Sequence, residues 1–230
     1  MKYLFSSESV TEGHPDKMCD GISDAILDAC LAQDPNSRVA VETLVTTEFV
    51  CIAGEVTTKA IVDYEAIARK KITEIGYVIG GIGFSNKSEI KVLIDNQRHD
   101  ISQGVSEGQG DFKEQGAGDQ GIMFGFACNE TPNLMPMPID LAHKLSSKLT
   151  DCRKNGLIKE LLPDGKSQVT VEYINGKPSR VTSVVIAAHH LECDMKKLRA
   201  DIKEKVIDPI VGELIDENTK ILINATGKFL

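Results

Sequence analysis

The chain contains no tryptophan, and only 5% of its 230 residues are aromatic. It also contains no apolar run approaching the roughly 20 residues that a membrane-spanning helix requires. Residues 1–5 lack the long apolar segment of a secretory signal peptide. We therefore expect a cytoplasmic protein with no membrane partner.

A Cys-x-x-Cys pair is absent as well, although the chain contains cysteine. The six cysteines are spread along the sequence at Cys19, Cys30, Cys51, Cys128, Cys152 and Cys193. Scattered cysteines of this kind are typical of reduced, packed side chains in a reducing compartment. Their spacing argues against a structural zinc site and agrees with a cytoplasmic location.

An excess of basic residues is missing too, because the formal net charge is −8 at pH 7. This charge argues against nonspecific binding to nucleic acids or to anionic membranes. The Gly-x-x-x-x-Gly-Lys-Ser/Thr run of P-loop enzymes is also absent. Binding of a phosphate-rich ligand would therefore depend on local cations and metal ions, not on a basic surface.

The remaining composition is that of an ordinary globular protein, with 41% hydrophobic and 26% charged residues. A chain of this length can form one large domain or two small ones. In the first half, apolar residues at helical spacing predict a helix over 15–33, with Asp20, Asp24 and Asp28 facing solvent. Further patterns predict strands at 38–46, 49–57 and 89–95 and a helix at 64–75 that is capped by Asp63.

The second half repeats this order of elements. We predict a strand at 122–128, a helix at 139–154, hairpin strands at 168–174 and 180–189, a helix at 193–211 and a strand at 220–224. Asn175-Gly176 is a strong signal for the hairpin turn, and Pro209 is expected to bend or end the last helix. Helix, hairpin, helix and strand thus occur twice, about 130 residues apart. This favours an α+β fold of two related units, each a mixed β-sheet with helices on one face, whose open faces meet each other or another subunit.

The stretch from 97 to 118 differs from both halves, because it is polar, glycine-rich and without periodicity. Such a run is typical either of a mobile active-site lid or of a plain linker.

The first chemical candidate is the stretch 7–17, which leads into the first helix. Pro15 suits the first helical turn, and Asp16 is favoured beside the positive end of the helix dipole. Together with Gly13 and His14 they surround free backbone N–H groups, and such a place can hold a phosphate or a metal bound to a phosphate. The alternative is a capped surface helix with a polar first turn.

Two acidic residues, Glu42 and Glu55, form the second candidate because they lie inside otherwise apolar strands. Carboxylates are unusual there unless they are paired, bound to a metal or at an edge. The alternative is a sheet face that is open to water.

Two runs of residues resemble one enzyme family. Glu12-Gly13-His14-Pro15-Asp16-Lys17 is similar to the N-terminal motif of the S-adenosylmethionine synthetases, or methionine adenosyltransferases. Gly116-Ala117-Gly118-Asp119-Gln120-Gly121 is similar to the first signature of that family. The similarity extends along nearly the whole chain. It implies pseudo-symmetric units with an N-terminal domain at 1–100, a flexible gating loop or linker at 101–118 and a central domain at 119–230, the third family unit being missing.

The resemblance implies the formation of S-adenosylmethionine from ATP and L-methionine, with Mg²⁺ and K⁺ as cofactors. The methionine sulfur attacks C5′ of the ribose, and the triphosphate leaves whole before it is cleaved to pyrophosphate and phosphate. Because a thioether carries no proton, the attack needs in-line positioning and a stabilised leaving group, not a general base. The resemblance also implies a homodimer or dimer of dimers with the active site between subunits, and the acidic net charge predicts no nucleic-acid partner.

The resemblance assigns roles to the matching positions. His14 and Lys166 are expected to be catalytic, in contact with the triphosphate. ATP binding is expected at His14, Asp119, Asp164, Gly165, Lys166, Lys228 and Phe229. Methionine binding is expected at Glu55 and at Gln97, the first residue of a gating loop over 97–107. Asp16 is expected to bind Mg²⁺, and Glu42 to bind K⁺.

The chain also departs from the family pattern. Lys228 replaces a usual arginine, which keeps the charge but loses the bidentate fork, while Ala225 replaces a proline and Phe126 a tyrosine. The glycine-rich second signature and the other triphosphate-binding cations of the third domain are absent. The available cations are His14 when protonated, Lys17, Lys166 and Lys228. The alternative function is therefore a catalytically incomplete module that binds nucleotide or methionine or acts as a regulatory partner.

Overall fold

A computed structural model of the chain describes residues 1–78, 82–96, 114 and 120–230. These residues form two compact units. Unit I contains 1–18, 74–78, 82 and 127–230, and unit II contains 19–73, 83–96, 114 and 120–126.

Unit II is a three-stranded mixed sheet with helices on one face. Strands β2 (Arg38–Thr46) and β3 (Phe49–Thr57) pair antiparallel, and β4 (Glu89–Asn96) pairs parallel to β3. Helix α1 (Pro15–Gln33) begins in unit I, continues into unit II, and bonds to β2 through the hydroxyls of Ser23 and Thr43, which are 2.9 Å apart. The buried side chains alternate along the strands and recur at helical spacing, as expected for one covered sheet face. They are Ile22, Ile26, Cys30, Val41, Val50, Ile52, Val56, Ala68 and Ile72.

Helix α2 (Tyr64–Ile75) is bounded by local signals in the sequence. The Asp63 carboxylate accepts a hydrogen bond of 2.9 Å from the Ala66 amide, which caps the first turn. Gly76 follows the last turn with a φ of +113°, a conformation that favours glycine. The helix therefore starts and stops where the sequence predicts.

Unit I is a four-stranded mixed sheet in the order β1-β5-β6-β7. Strand β1 (Lys2–Val10) pairs antiparallel with β5 (Leu161–Ile174), β5 pairs antiparallel with β6 (Lys177–His190), and β7 (Lys220–Ile223) lies parallel to β6. Helix α3 (Met137–Lys154) packs on β1 and β5. Asn175 and Gly176 both have a positive φ, as a two-residue hairpin turn of this hand requires.

The last helical segment of unit I is not uniform. Helix α4 (Met195–Ile202) is capped by Asp194, whose carboxylate accepts from the Lys196 amide at 2.8 Å. A π-helical turn (Lys203–Ile207), helix α5 (Asp208–Val211) and a 3₁₀ turn (Gly212–Leu214) follow. The Asp208 amide bonds to the Lys203 carbonyl, which is the π pattern. The hydrogen-bond pattern thus changes just before Pro209, which has no amide proton to donate.

The repeated order of elements is confirmed, because each unit runs helix, hairpin, helix, strand, with the final strand parallel to the second hairpin strand. The fold class is α+β with mixed sheets and helices on one face. Asp20, Asp24 and Asp28 are exposed, as predicted. Among the described residues, no helix has the length and apolarity needed to cross a lipid bilayer.

Two predictions of local structure are wrong. Residues 122–128 form no strand, and the side chains of Ile122, Met123, Phe124 and Phe126 are between 76% and 90% exposed. An apolar run becomes a strand only when a neighbouring strand accepts its hydrogen bonds, and no strand among the described residues pairs with this run. Conversely, the prediction omitted β1, whose pairing partner on β5 lies far along the chain and whose own serines and glutamate are weak strand formers.

Candidate active site

The first component of the site is the turn between β1 and α1. The His14 amide donates to the Thr11 carbonyl at 3.1 Å, and the His14 carbonyl accepts the first helical hydrogen bond from Met18 at 2.9 Å. The Asp16 amide donates to His14 Nδ1 at 3.2 Å. In the neutral imidazole the proton then sits on Nε2. The His14 side chain is 12% exposed, whereas that of Asp16 is 91% exposed and lies 3.8 Å from the ring.

The second component is the start of β5, which packs directly against this turn. The Thr11 hydroxyl donates to the Pro163 carbonyl at 2.7 Å, and the Thr11 amide donates to the Gly165 carbonyl at 2.9 Å. Gly13 lies so close to Pro163 that an added Cβ would overlap the backbone of that residue. These contacts bring the His14 turn and the segment Pro163–Lys166 together.

Asp164 is the most unusual carboxylate in unit I. Burial raises its pKa above the ordinary value, while nearby His14, the Gly165 amide and Lys166 act in the opposite direction. Its Oδ1 atom is buried and has no hydrogen-bond partner among the described residues. A buried acceptor without a donor is costly in free energy. This oxygen is therefore available to accept from a hydroxyl, an amine or a cation of a ligand.

Lys166 is exposed and lies on the open face of the unit I sheet, opposite Val10 of β1 and Ala187 of β6. It is close enough to Asp164 to oppose the rise in the pKa of that carboxyl. His14, Asp16, Asp164 and Lys166 are thus collected at one end of the sheet.

Lys228 and Phe229 dock at the end of β6. The Phe229 ring stacks on His189 with centroids 5.1 Å apart, and the Phe229 amide donates to His190 Nε2 at 3.1 Å. Burial first, and then His190, lower the pKa of His189. Ala187 and His189 share a face of β6 because strand residues alternate. Phe229 therefore lies on the same sheet face as Lys166, while Lys228 forms an ion pair with Glu192.

Lys17, one of the cations that the sequence makes available, is bonded to the backbone. Its Nζ donates to the Val10 carbonyl at 2.6 Å. It lines a cavity of 280 Å³ together with Ser9, His143 and neighbouring hydroxyl groups of α3. Lys166 is exposed and lies two residues after Asp164 in the chain. The Lys17 ammonium, in contrast, is hydrogen-bonded to a backbone carbonyl.

Glu42 and Glu55 belong to unit II. The strand register pairs Glu42 with Ala53 and Glu55 with Ala40, so both carboxylates lie on the face opposite the buried residues. Leu44 and Leu93 share this face and are 60% and 50% exposed. Gln97 and Asp119, together with the proposed gating loop, lie outside the described residues.

Metal binding by these carboxylates would require additional ligands. In the part of the chain that the structure describes, no group of three or more His, Cys, Asp or Glu side chains is arranged to hold a metal ion. Mg²⁺ commonly binds to one or two carboxylates and completes its shell with water and substrate phosphates. The exposed Asp16 fits a single ligand of that kind.

Sequence reasoning missed the residues that support the His14 turn. Tyr77 is 5% exposed and donates to the Gly13 carbonyl at 2.7 Å. Arg153 donates to Glu12 at 2.6 Å and to the Ile75 carbonyl at 2.7 Å. These partners are far apart in sequence, so no local pattern pointed to them.

Fold and site together define a class: an α+β protein of repeated mixed-sheet units, with a polar cluster of histidine, aspartate and lysine at a helix N-terminus. Residues 2–99 match the model of the N-terminal domain of S-adenosylmethionine synthetase, and residues 114–229 match the model of its central domain. The chain therefore belongs to the S-adenosylmethionine synthetase family.

Individual relatives agree with this family. The chain is 55% identical over 231 residues to an S-adenosylmethionine synthase of Desulfosudis oleivorans, which covers 99% of this chain and 60% of that protein. It is 53% identical over 237 residues to one of Solidesulfovibrio magneticus (100% and 59%) and 50% identical over 252 residues to one of Thermosynechococcus vestitus (100% and 60%). The chain spans about 60% of the length of the curated relatives that it matches.

Proposed function

We propose that this chain takes part in forming S-adenosylmethionine from ATP and L-methionine, with hydrolysis of the released triphosphate by water to pyrophosphate and phosphate. The observation that carries the proposal is the joint of the His14 turn and the segment Pro163–Lys166, which gathers His14, Asp16, Asp164 and Lys166. The family and the names of the relatives support the same reaction.

In the proposed reaction the methionine sulfur forms a bond to C5′ of the ribose while the bond from C5′ to the triphosphate oxygen breaks. The electron pair of that bond leaves with the triphosphate, and the sulfur becomes a sulfonium. His14 Nε2–H and the Lys166 ammonium donate to the departing oxygens, where negative charge increases. Mg²⁺ held by Asp16 would neutralise further charge on the phosphates. The orphaned Oδ1 of Asp164 accepts from a donor on the nucleotide.

The other predicted contacts complete this proposal. Asp119, Gly165, Lys228 and Phe229 contact ATP, Glu55 and Gln97 contact methionine, and Glu42 binds K⁺. We also propose that residues 1–100 and 119–230 correspond to the N-terminal and central domains of the family, with 101–118 as the gating loop or linker between them, although the compact units of the fold combine segments from both ranges. Phe229 is supported as an ATP contact by its position on the sheet face that carries Lys166.

We also propose a cytoplasmic homodimer, or dimer of dimers, with the active site between subunits. The exposed apolar side chains of Leu44 and Leu93, on the same face of the unit II sheet, support the assembly. Six cysteines without a disulfide support the reducing compartment.

A second candidate function is a binding module that is catalytically incomplete. It is favoured by the ion pair of Lys228 with Glu192 and by the bond of Lys17 to the Val10 carbonyl, which occupy two of the four predicted cations. Such a module would bind ATP or methionine without turnover.

The test is an assay of the 230-residue chain with ATP, methionine, Mg²⁺ and K⁺, in which S-adenosylmethionine is measured by mass. Product that disappears in His14→Ala and Asp16→Asn, but persists in the exposed control Asp20→Asn, is the expected result. Absence of product with retained ATP binding favours the second candidate. Absence of both product and binding contradicts both functions.

A further inference from the structure

The turn that carries His14 rests on a buried tyrosine from outside the family motif. Tyr77 follows helix α2 by two residues and is 5% exposed. Its hydroxyl donates a hydrogen bond of 2.7 Å to the carbonyl of Gly13. Because residue 13 is a glycine, it has no side chain that Tyr77 could contact instead of the carbonyl.

This hydrogen bond acts on the peptide group from which His14 extends. The Gly13 carbonyl and the His14 amide belong to one planar peptide group. Tyr77 holds the carbonyl side, and the Thr11 carbonyl accepts from the amide side at 3.1 Å. Two hydrogen bonds on opposite edges of a planar group fix its rotation. The His14 carbonyl also accepts from the Met18 amide at 2.9 Å, so the peptide groups on both sides of His14 are held, and with them the direction of its Cα–Cβ bond.

The tyrosine is a dependable donor at this place. Burial first, and then the charge of Asp164, raise the pKa of the Tyr77 hydroxyl, while Arg153 acts in the opposite direction. The hydroxyl therefore keeps its proton throughout the physiological pH range. Gly13 is meanwhile pressed against the Pro163 backbone, so the turn cannot relax toward β5 when the hydrogen bond is lost.

We propose that Tyr77 is a positioning residue of the candidate active site. Through the Gly13 carbonyl it holds the His14 imidazole in the orientation in which Nδ1 accepts from the Asp16 amide and Nε2–H faces a phosphate-bearing ligand. The contact of Nε2–H with a phosphate-bearing ligand rests on the proposed function, whereas the orientation of the His14 imidazole does not.

The chain offers a matched control for removal of this hydroxyl. Tyr173 is 4% exposed, lies in the same unit, and donates one hydrogen bond of 2.6 Å to the Glu130 carboxylate. Its ring stacks on Tyr3 at a centroid distance of 5.0 Å, on β strands and away from the His14 turn. Tyr77→Phe and Tyr173→Phe therefore remove the same atom from comparably buried rings.

The experiment compares both variants with the unchanged 230-residue chain by NMR. In Tyr77→Phe, amide hydrogen exchange at His14 becomes faster by roughly fivefold, the factor expected for the loss of one ordinary hydrogen bond. The imidazole ¹⁵N shifts of His14 move from a single Nε2–H tautomer toward a mixture of both tautomers. Affinity for magnesium tripolyphosphate falls by a similar factor of roughly five. Tyr173→Phe leaves all three readouts of the unchanged chain in place.

The results test the positioning role of Tyr77 and the proposed function separately. If Tyr77→Phe leaves the His14 amide and imidazole signals unchanged, the positioning role is overturned whether or not the phosphate binds. If the unchanged chain does not bind magnesium tripolyphosphate, the proposed function is contradicted, and the two His14 signals still decide the role of Tyr77. Should Tyr77→Phe unfold, the hydroxyl proton of Tyr77 is observed directly in the unchanged chain. A slowly exchanging resonance with cross-peaks to Gly13 and His14 supports the role, and its absence overturns it.

Discussion

At the scale of single residues, Asp164 is where stability and binding make opposite demands. Burial raises its pKa above 3.8 in the folded chain, so the folded state binds the proton more tightly than the unfolded state. The contribution of this group to stability is then complete below pH 3.8 and is lost as the pH rises through the folded pKa. At neutral pH the surroundings of Asp164 in the folded chain therefore oppose its ionisation.

We therefore expect Asp164→Asn to raise the melting temperature at pH 7 by a few degrees, as removal of one opposed charge does in a domain of this size. The gain shrinks as the pH is lowered and disappears below about pH 3.8. Binding of ATP weakens in the same variant. Thermal melts across this pH range check the first part, and titration with magnesium ATP checks the second. The exposed Asp20→Asn should change neither quantity, and a fall in stability for Asp164→Asn at pH 7 would contradict the argument.

Some residues of the candidate site could be predicted from the sequence, and others could not. His14, Asp16, Asp164 and Lys166 stand in recognisable runs, so the resemblance alone could nominate them. Tyr77 and Arg153 act on that same turn through a hydroxyl and a guanidinium that approach from other elements. A tyrosine after a helix has many ordinary functions, and only the folded chain shows which carbonyl it meets.

At the scale of elements, the joint between β1, α1 and β5 determines whether a site exists. The bounds of α1 and α2 could be predicted from the sequence, because capping residues, proline and glycine act within a few residues. Strand β1 could not be predicted in this way, because it pairs with residues of β5 that lie more than 150 positions away in the sequence. The pairing runs from Lys2 with Ile174 to Val10 with Lys166. The opposite error occurred at the apolar run 122–128. Its pattern predicted a strand, but no strand among the described residues pairs with it.

The same joint predicts the effect of a single methyl group. We expect Gly13→Ala to destabilise the chain by about 2 kcal/mol, because the new Cβ would overlap the Pro163 backbone and neither segment can give way without breaking the Thr11 hydrogen bonds. Urea denaturation measures the loss. Gly212→Ala is the matched control, because nothing lies within 4 Å of its added Cβ and its φ of −54° suits alanine. Equal midpoints for the two variants would show that the contact at Gly13 is not tight.

At the scale of the whole molecule, the chain carries a net charge of −8 and yet is proposed to bind a polyanion. Attraction at long range therefore cannot supply the affinity. The proposal depends on His14, Lys166 and a metal at Asp16 acting at short range, so binding should require Mg²⁺. Within the described part of unit II, the sheet face that carries Glu42 and Glu55 also carries exposed apolar side chains.

That face provides the last prediction, which concerns assembly. If two copies of the chain bury it, the double variant Leu44→Glu with Leu93→Glu introduces like charges beside Glu42 and Glu55 and should convert the dimer to a monomer. Sedimentation of the unchanged chain then gives about twice the mass of the variant. Leu157→Glu is the control, since Leu157 is 54% exposed in unit I and lies off this face, and its mass should equal that of the unchanged chain. A dimer that survives the double variant would mean that another surface joins the subunits. An unchanged chain that sediments as a monomer would remove the assembly, and with it an active site shared between subunits, from the proposed function.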